Sequence, residues 1–469
     1  MTNPIPVKDV TPPAGGSGNP FSKKREKIHA RWISGRFQRL SDFTLTTTMG
    51  LYIITPWLSW NGSPLVHFDL PARRFDILGL TFFPQDFFYL SLLLMVAAFG
   101  LLFVTNLAGR MFCGYVCPQT VWTRFFIRIE RITEGDRGAR LKLDKADLSV
   151  EKVLRRSAKH ALWLMLALLT AVTFVGYFSP VRDLVPRLFS FELGVWEAWW
   201  IFFFTAATYI NAGWMREQIC VNLCPYGRFQ SVMFDKDTLV VSYDERRGEP
   251  RTRGAKRRES GSDPFGDCID DKLCVQVCPT GIDIRDGLQY ECIACAACID
   301  ACDQVMDSIG KPRGLVRYTT EHALEGAPTK IVRPRLVGYG SVLAVLAVLL
   351  FGGLLLRQPL DLDVLRDRNA LFQETSEGLL ENAYTLKAAN KGQEARTFLI
   401  AVEAPPGIEY RGPAAIMLGA SSMEALPISL VLDPNQHAPL NATVYFTLTA
   451  QDDPSVQVRS ESRFISVGR

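Results

Sequence analysis

Seven cysteines fall within residues 268–302, with Asp271 at the spacing of an eighth, and that spacing dictates how the stretch can fold. The first run is Cys268-Ile-Asp-Asp271-Lys-Leu-Cys274-Val-Gln-Val-Cys278-Pro279, and the second is Cys292-Ile-Ala-Cys295-Ala-Ala-Cys298-Ile-Asp-Ala-Cys302. The bacterial iron–sulfur run is C-x2-C-x2-C-x3-C-P, and its fourth cysteine ligates the other cluster. The second run supplies all four cysteines. The first keeps the spacing throughout but carries Asp271 where a cysteine is expected. The crossed pattern assigns Cys292, Cys295, Cys298 and Cys278 to one cluster. It assigns Cys268, Cys274 and Cys302 to the other, with Asp271 facing the fourth iron. A carboxylate is a harder ligand than a thiolate. That corner is expected to hold its iron weakly, giving a [4Fe–4S] cluster with an Asp or water ligand, or a [3Fe–4S] cluster. Paired C-x-x-C runs also bind zinc, but zinc uses four ligands and fits seven thiolates at ferredoxin spacing badly. A disulfide framework belongs to small secreted domains.

The remaining four cysteines form two similar motifs, Cys113-Gly-Tyr-Val-Cys117-Pro118 and Cys220-Val-Asn-Leu-Cys224-Pro225. Each follows an apolar stretch and precedes an aromatic–basic one, Trp122-Thr-Arg124-Phe125-Phe126 and Tyr226-Gly-Arg228-Phe229. A spacing of four puts both sulfurs of a motif on one helical face, and the following proline can begin or bend a helix. An internal duplication of this kind is expected to bring the two motifs together. Four converging thiolates suit a soft metal: Cu(I), zinc or a further iron–sulfur cluster. They could also cycle between dithiol and disulfide, or simply pack as small apolar side chains.

The chain is 48% hydrophobic with 29 Phe and 9 Trp. That balance suits membrane spans joined to soluble domains. A span needs about 20 apolar residues, and five stretches qualify: Phe43–Trp60, Phe87–Leu107, Ala161–Phe178, Ala198–Met215 and Leu336–Leu356. The first is the weakest, with four threonines and Pro56. Basic residues concentrate in the head (Lys23 to Arg39) and after the second stretch (Arg124 to Arg156). The positive-inside rule then places the amino terminus and the cysteine-rich segment in the cytoplasm and the carboxy terminus outside. The cytoplasm also suits reduced thiols.

The expected organisation is a disordered and basic cytoplasmic head (1–42), a four-helix membrane bundle carrying both C-x3-C-P motifs (43–226) and a cytoplasmic α+β two-cluster ferredoxin segment (227–334). A fifth transmembrane helix (335–357) and a periplasmic domain (358–469) follow. In the head, Thr2 to Ser22 reads as a disordered tail and Lys23 to Arg39 as helical. The tail after Asp361 alternates short β-rich runs with turn signals. The runs are Tyr384–Ala388, Thr397–Val402, Ile428–Leu432 and Ala442–Leu448; the breaks are Asn390-Lys-Gly392, Pro405-Pro-Gly407 and Asp433-Pro-Asn435. This pattern argues for an immunoglobulin-like β-sandwich. Leu362 to Arg368 reads as either a strand or a linker.

Other signals are weaker. His160 sits where it could approach the C-x3-C-P motifs but reads better as an interfacial helix residue. His67 and His437 show no partner spacing. The Arg251–Arg258 cluster reads as a solvated basic linker rather than a nucleic-acid site. No phosphate-binding glycine loop and no Ser/His/Asp pattern is present.

Taken together, Cys113-x3-Cys117-Pro118, Cys220-x3-Cys224-Pro225-Tyr-Gly-Arg228 and Cys278-Pro279-Thr-Gly-Ile-Asp-Ile-Arg285 resemble the cytochrome c oxidase accessory protein family (CcoG, FixG or RdxA type). The resemblance covers nearly the whole chain except the head. It implies a bacterial inner-membrane protein needed to assemble the cbb-type cytochrome c oxidase. It further implies a Cu(II) reductase that passes Cu(I) through a copper chaperone or transporter, fed by a cytoplasmic electron donor. In that reading Cys113, Cys117, Cys220 and Cys224 handle copper as substrate. Asp271 departs from the family pattern, which has cysteine there. The rival expectations are an electron-relay polyferredoxin subunit of a quinol-linked respiratory system, and a non-catalytic assembly scaffold.

Overall fold

The structure is a computed structural model that describes residues 28–60, 63–251, 265–367, 370–433 and 441–466. The head through Lys27, most of the Arg251–Arg258 cluster, the end of the Asp433-Pro-Asn435 turn and His437 lie outside the described residues. The chain divides into two compact units. One comprises residues to Trp57 together with Leu90–Leu349; the other comprises Leu58–Tyr89 together with Leu350 onward.

The apolar stretches form helices Arg36–Ile54, Phe87–Ala108, Val150–Val175, Val195–Thr208 and Pro334–Leu355. Among the described residues three helical runs are long and apolar enough to cross a membrane: Pro84–Ala108, Val150–Val175 and Pro334–Leu355. The other two expected spans fall short for separate reasons. Arg36–Ile54 opens with Arg36, Arg39 and Asp42 and carries Thr44, Thr46, Thr47 and Thr48. Val195–Thr208 has only 14 α-helical residues before the backbone widens into a π-helical turn over Tyr209–Met215. The basic segment before Arg36 is not helical from Ile28 to Ser34, which corrects the expectation of a helix over Lys23 to Arg39.

The first helix is pinned at its amino end by a residue far along the chain. The Asp300 carboxylate accepts the backbone N–H groups of Phe37 (3.2 Å) and Gln38 (2.7 Å). This satisfies two of the four orphan donors at a helix start and sets a negative charge against its dipole. Asp300 lies on the helix Ala297–Ser308, inside the second cysteine run, so the cysteine-rich segment and the first helix are locked together. That segment also contains a two-stranded antiparallel ribbon, Val240–Tyr243 with Val316–Thr319.

The second unit holds a two-sheet sandwich. One sheet runs Ile408–Arg411, Ser422–Leu432, Leu380–Asn390, Leu360–Arg366, with Gln373–Glu374 beside the start of Leu380–Asn390. The other runs Ala415–Leu418, Arg396–Glu403, Asn441–Ala450, Gln457–Ile465. Period-two alternation buries Leu380, Asn382, Tyr384, Leu386 and Ala388 from one sheet. Val444, Phe446, Leu448 and Phe464 from the other complete a single core. The Tyr384 hydroxyl donates to the Arg463 carbonyl across the sandwich at 2.9 Å. Of the segment Leu362 to Arg368, the part through Arg366 belongs to the strand Leu360–Arg366, and Arg368 lies outside the described residues. A small three-stranded sheet, Val66–Asp69, Arg74–Ile77 and Leu80–Phe82, was not expected from the sequence.

Candidate functional site

The two cysteine runs share a backbone conformation at matching positions. Asp270 and Lys272 in the first run, and Ala294 and Ala296 in the second, all have left-handed φ values of 50°, 59°, 53° and 60°. Left-handed conformations are costly for residues with a Cβ. Their recurrence either side of Asp271 and Cys295 marks a common device: such turns direct successive N–H groups into a concavity that suits an anionic centre. The Ala294 N–H donates to the Cys292 sulfur at 3.4 Å.

The thiols gather in two groups. Cys278, Cys292, Cys295 and Cys298 act on one another electrostatically. Cys268, Cys274 and Cys302 do the same, with Asp271 acting on Cys274. Burial, then neighbouring thiols, push Cys292 up to about 12, against the opposing pull of the Ala294 N–H. Burial also raises Cys302 to about 12, with Cys274 and Cys268 adding to it. Buried thiols packed this way resist ionisation unless a cationic centre takes the charge. Among the described residues no three His, Cys, Asp or Glu side chains are set to hold a single metal ion. Two groups of thiols at ferredoxin spacing, neither set to hold a single ion and both on loops with paired left-handed turns, fit two iron–sulfur clusters. Asp271 is exposed, and its carboxylate accepts the Leu273 N–H at 3.1 Å. Arg285, buried at 4% exposure, pairs with Asp283 (2.6 Å) and Asp270 (2.7 Å) and faces Cys274.

The C-x3-C-P motifs depart from the single-helix-face expectation. Cys113 lies in the short helix Met111–Tyr115, but Cys117 has φ −55° and ψ 128° and sits just outside the helix Pro118–Glu134. Cys220 lies in a π-helical turn, Ile219–Leu223, and Cys224 caps the helix Pro225–Met233. A residue before proline is driven out of the helical region. The proline therefore breaks each motif between its cysteines and starts a new helix at its first position. The four thiols still come together: Cys117, Cys113 and Cys224 all act on Cys220, and burial with these neighbours pushes it up to about 12. Burial and Cys117 push Cys113 up to about 11, while Arg110 and Gln230 pull the other way.

The cysteine-rich segment lies directly against these motifs. A Cβ on Gly114 would come within 2.8 Å of the Ile293 carbonyl and 2.9 Å of the Cys295 Cα. Cys113 packs against the buried cluster that contains Ile293, Cys295 and Ala297. Arg110, 7% exposed, donates to the carbonyls of Gly227 and Tyr290 and to that of Cys292 at 3.4 Å. Its guanidinium also lies 5.2 Å from the Tyr290 ring centre. The Tyr290 hydroxyl donates to the Val221 carbonyl within the second motif. Arg110, Gly114, Gln230 and Tyr290 were given no role from sequence, and Arg285 entered there only as the last residue of the Cys278-Pro279 motif. Arg110 stands three residues before Cys113, but its partners lie 117 to 182 residues away. His160 does not join the thiols: its Nδ1 pairs with the Tyr209 hydroxyl at 2.8 Å, and its ring stacks on Trp214.

Comparison with known proteins decides the family. A 4Fe-4S dicluster domain matches residues 215–321, a 4Fe-4S binding domain matches residues 88–134, and the Ig-like fold at the C-terminus of FixG matches residues 350–467. The nitrogen fixation protein FixG of Rhizobium meliloti is 38% identical over 462 residues, 91% of this chain and 87% of that protein. The chain belongs to the FixG/RdxA family. Protein RdxA of Cereibacter sphaeroides is 41% identical over 404 residues, covering 83% of this chain and 85% of its own. Among solved structures, a FixG-related protein from Vibrio parahaemolyticus is 32% identical, covering 24% of this chain and 98% of its own, with a TM-score of 0.22. The FixG/RdxA chain described here is thus an iron–sulfur oxidoreductase, with an Ig-like carboxy-terminal domain and apolar helices suited to a membrane.

Proposed function

We propose that this FixG/RdxA protein reduces Cu(II) to Cu(I) at Cys113, Cys117, Cys220 and Cys224 and supplies it for assembly of a cbb-type cytochrome c oxidase. The observation that carries the reading is the contact between Gly114 and the backbone of Cys295, with Arg110 tying both motifs to the same loop. Two iron–sulfur clusters held by Cys278, Cys292, Cys295 and Cys298, and by Cys268, Cys274, Cys302 and Asp271, would supply electrons singly and at low potential. Thiolates favour Cu(I) over Cu(II), so the four membrane-edge sulfurs raise the potential of the copper they hold. One electron delivered through the cysteine-rich segment converts one Cu(II) to one Cu(I). Arg110 offsets negative charge where the sulfurs ionise, and the close packing at Gly114 keeps the donor loop against the first motif.

Five spans in the bacterial inner membrane are the proposed topology, with the cysteine-rich segment cytoplasmic and the Ig-like domain periplasmic. There the domain would dock the oxidase or a copper chaperone. The basic loop from Arg124 to Arg156 and the uncharged Pro334–Leu355 helix interior support this orientation. A donor of single electrons in the cytoplasm completes the scheme. The test is anaerobic reduction of the protein, removal of excess reductant, addition of Cu(II) and detection of Cu(I) with a colorimetric chelator. A variant with the four motif cysteines changed to serine, its iron content intact, is expected to form no more Cu(I) than a cluster-containing control protein. Equal reduction by parent and variant would remove these cysteines from the reaction.

A further inference from the structure

A cleft between the helices Arg36–Ile54 and Pro118–Glu134 also takes in Val277, Pro279 and Ala297 from the cysteine-rich segment. Arginines dominate its lining. Arg124, Arg128 and Arg131 stand at i, i+4 and i+7 of one helix, which puts all three on one face. Arg31 joins them from the segment before the first helix, and Arg140 from the helix Arg137–Lys145. Three of these charges are matched. Arg128 pairs with Asp42 at 3.5 Å, Arg131 with Asp136 at 3.0 Å and Arg140 with the buried Glu130 at 2.9 Å. Arg124 donates to the neutral Gln38 amide oxygen at 3.1 Å. Among the described residues neither Arg124 nor Arg31 meets a carboxylate. The cleft therefore keeps two uncompensated guanidinium groups.

The surroundings of this charge are apolar. The Arg131 guanidinium lies 4.2 Å from the Trp32 ring centre, and Trp favours the membrane–water boundary. Leu40, Phe43, Leu51 and Ile54 fall on one side of the first helix and are exposed, Phe43 at 69%. Ile132, next to Arg131, is 74% exposed. A phosphate diester accepts paired N–H bonds from arginine, and its acyl chains would cover the apolar stripe. Inorganic phosphate would use only the charge, and an acidic soluble protein would leave Phe43 and Ile132 uncovered. Basic pockets between membrane helices on the cytoplasmic side hold anionic headgroups in this way. We infer that the cleft binds one anionic phospholipid, its phosphate facing Arg31 and Arg124 and its chains lying along Leu40 and Phe43. The inference rests on the membrane placement proposed above and goes beyond it. The lipid would touch Pro279 and Ala297, the neighbours of Cys278 and Cys298, and so fasten the cysteine-rich segment to the membrane surface.

The test uses the full-length protein with its clusters in place, reconstituted in phosphatidylcholine vesicles that carry a trace of spin-labelled lipid. Electron paramagnetic resonance at ambient temperature reads the motionally restricted fraction of labelled phosphatidylglycerol and, separately, of labelled phosphatidylcholine. The parent is expected to prefer phosphatidylglycerol by about 10-fold. Arg31→Gln with Arg124→Gln should bring that preference close to parity, since two basic side chains near a membrane surface are worth roughly 10–30-fold. Neither change leaves a carboxylate unpaired, so iron content and absorbance should match the parent. Arg31→Lys with Arg124→Lys keeps the charge and should keep the preference. Lys142→Gln with Lys145→Gln removes the same charge from exposed positions outside the cleft and should leave the preference unchanged. A preference that survives loss of Arg31 and Arg124, or falls equally in both glutamine pairs, would mean a diffuse positive surface. A preference abolished by inorganic phosphate would mean a free-anion site, and parity in the parent would leave the cleft to an acidic protein. Each of these would overturn the inference and leave the membrane placement standing. Absence of restricted lipid of either kind would overturn both.

Discussion

Gly114 has no room for a side chain, because the Cys295 backbone occupies the space where a methyl would go. Gly114→Ala must push the C-x3-C-P motif away from the cysteine loop, at a cost of about 1–3 kcal/mol typical of overpacking. The expected outcome is unchanged iron content, a lower melting temperature and slower Cu(I) formation per reduced cluster. Asp271 makes a different prediction. Its carboxylate is exposed and already bonded to the Leu273 N–H, so the corner it faces should be the labile one. Mild oxidation is expected to release about one iron per chain from the parent and markedly less from Asp271→Cys, by iron analysis and electron paramagnetic resonance. Equal loss from both would place the labile iron elsewhere. The cysteines were legible in sequence because ferredoxin ligands are set by local spacing. Arg110 and Gln230 were not, because each acquires its role from a partner more than a hundred residues away.

Between the motifs, the helix Pro118–Glu134 carries the element-level argument. Glu130 is fully buried and pairs with Arg140 at 2.9 Å and Arg216 at 2.6 Å. Arg216 occupies the junction between the π-helical turns Tyr209–Met215 and Ile219–Leu223, so Glu130 fixes the approach to Cys220. Removing one partner of a buried pair costs about 3–5 kcal/mol by leaving charge uncompensated. Glu130→Ala is therefore expected to lower the melting temperature strongly and to slow Cu(I) formation, whereas Glu130→Asp should recover part of both. The prolines explain a misreading: four-residue spacing suggested one helical face, but the proline after each second cysteine forbids it. A further anchor lies before the last apolar helix. Asp237 accepts the Lys330 N–H (2.9 Å) and pairs with His322 (2.8 Å). Burial raises its carboxyl, but these partners outweigh burial and hold it below the usual range. A depressed carboxylate stabilises the fold above its unfolded value, about 3.9, and the effect fades as pH falls through the folded value. Asp237→Ala should therefore cost about 1 kcal/mol near pH 7, limited by solvent screening. The difference in melting temperature from the parent should begin to shrink only as pH falls below about 4, and should be lost once pH passes below the depressed folded value.

At the scale of the molecule, the sandwich was readable because strand alternation survives in Leu380–Asn390 and Asn441–Ala450, where one face is buried and the other is not. The small sheet over Val66–Phe82 was not: its strands have only three or four residues and sit in a loop between two apolar stretches. Span counting met a similar limit: apolar length suggested five stretches, whereas among the described residues three helices are long and apolar enough to cross a membrane. The central claim is that electrons stored in the cysteine-rich segment reach copper at the C-x3-C-P thiols. The most direct measurement is anaerobic rapid mixing of the reduced protein with Cu(II), following the iron–sulfur absorbance and Cu(I) formation together. The account predicts that one Cu(I) appears for each electron lost, with a single shared rate that collapses when Cys113 and Cys220 are changed to serine. Absorbance recovery that runs ahead of Cu(I), or a rate untouched by those changes, would contradict it.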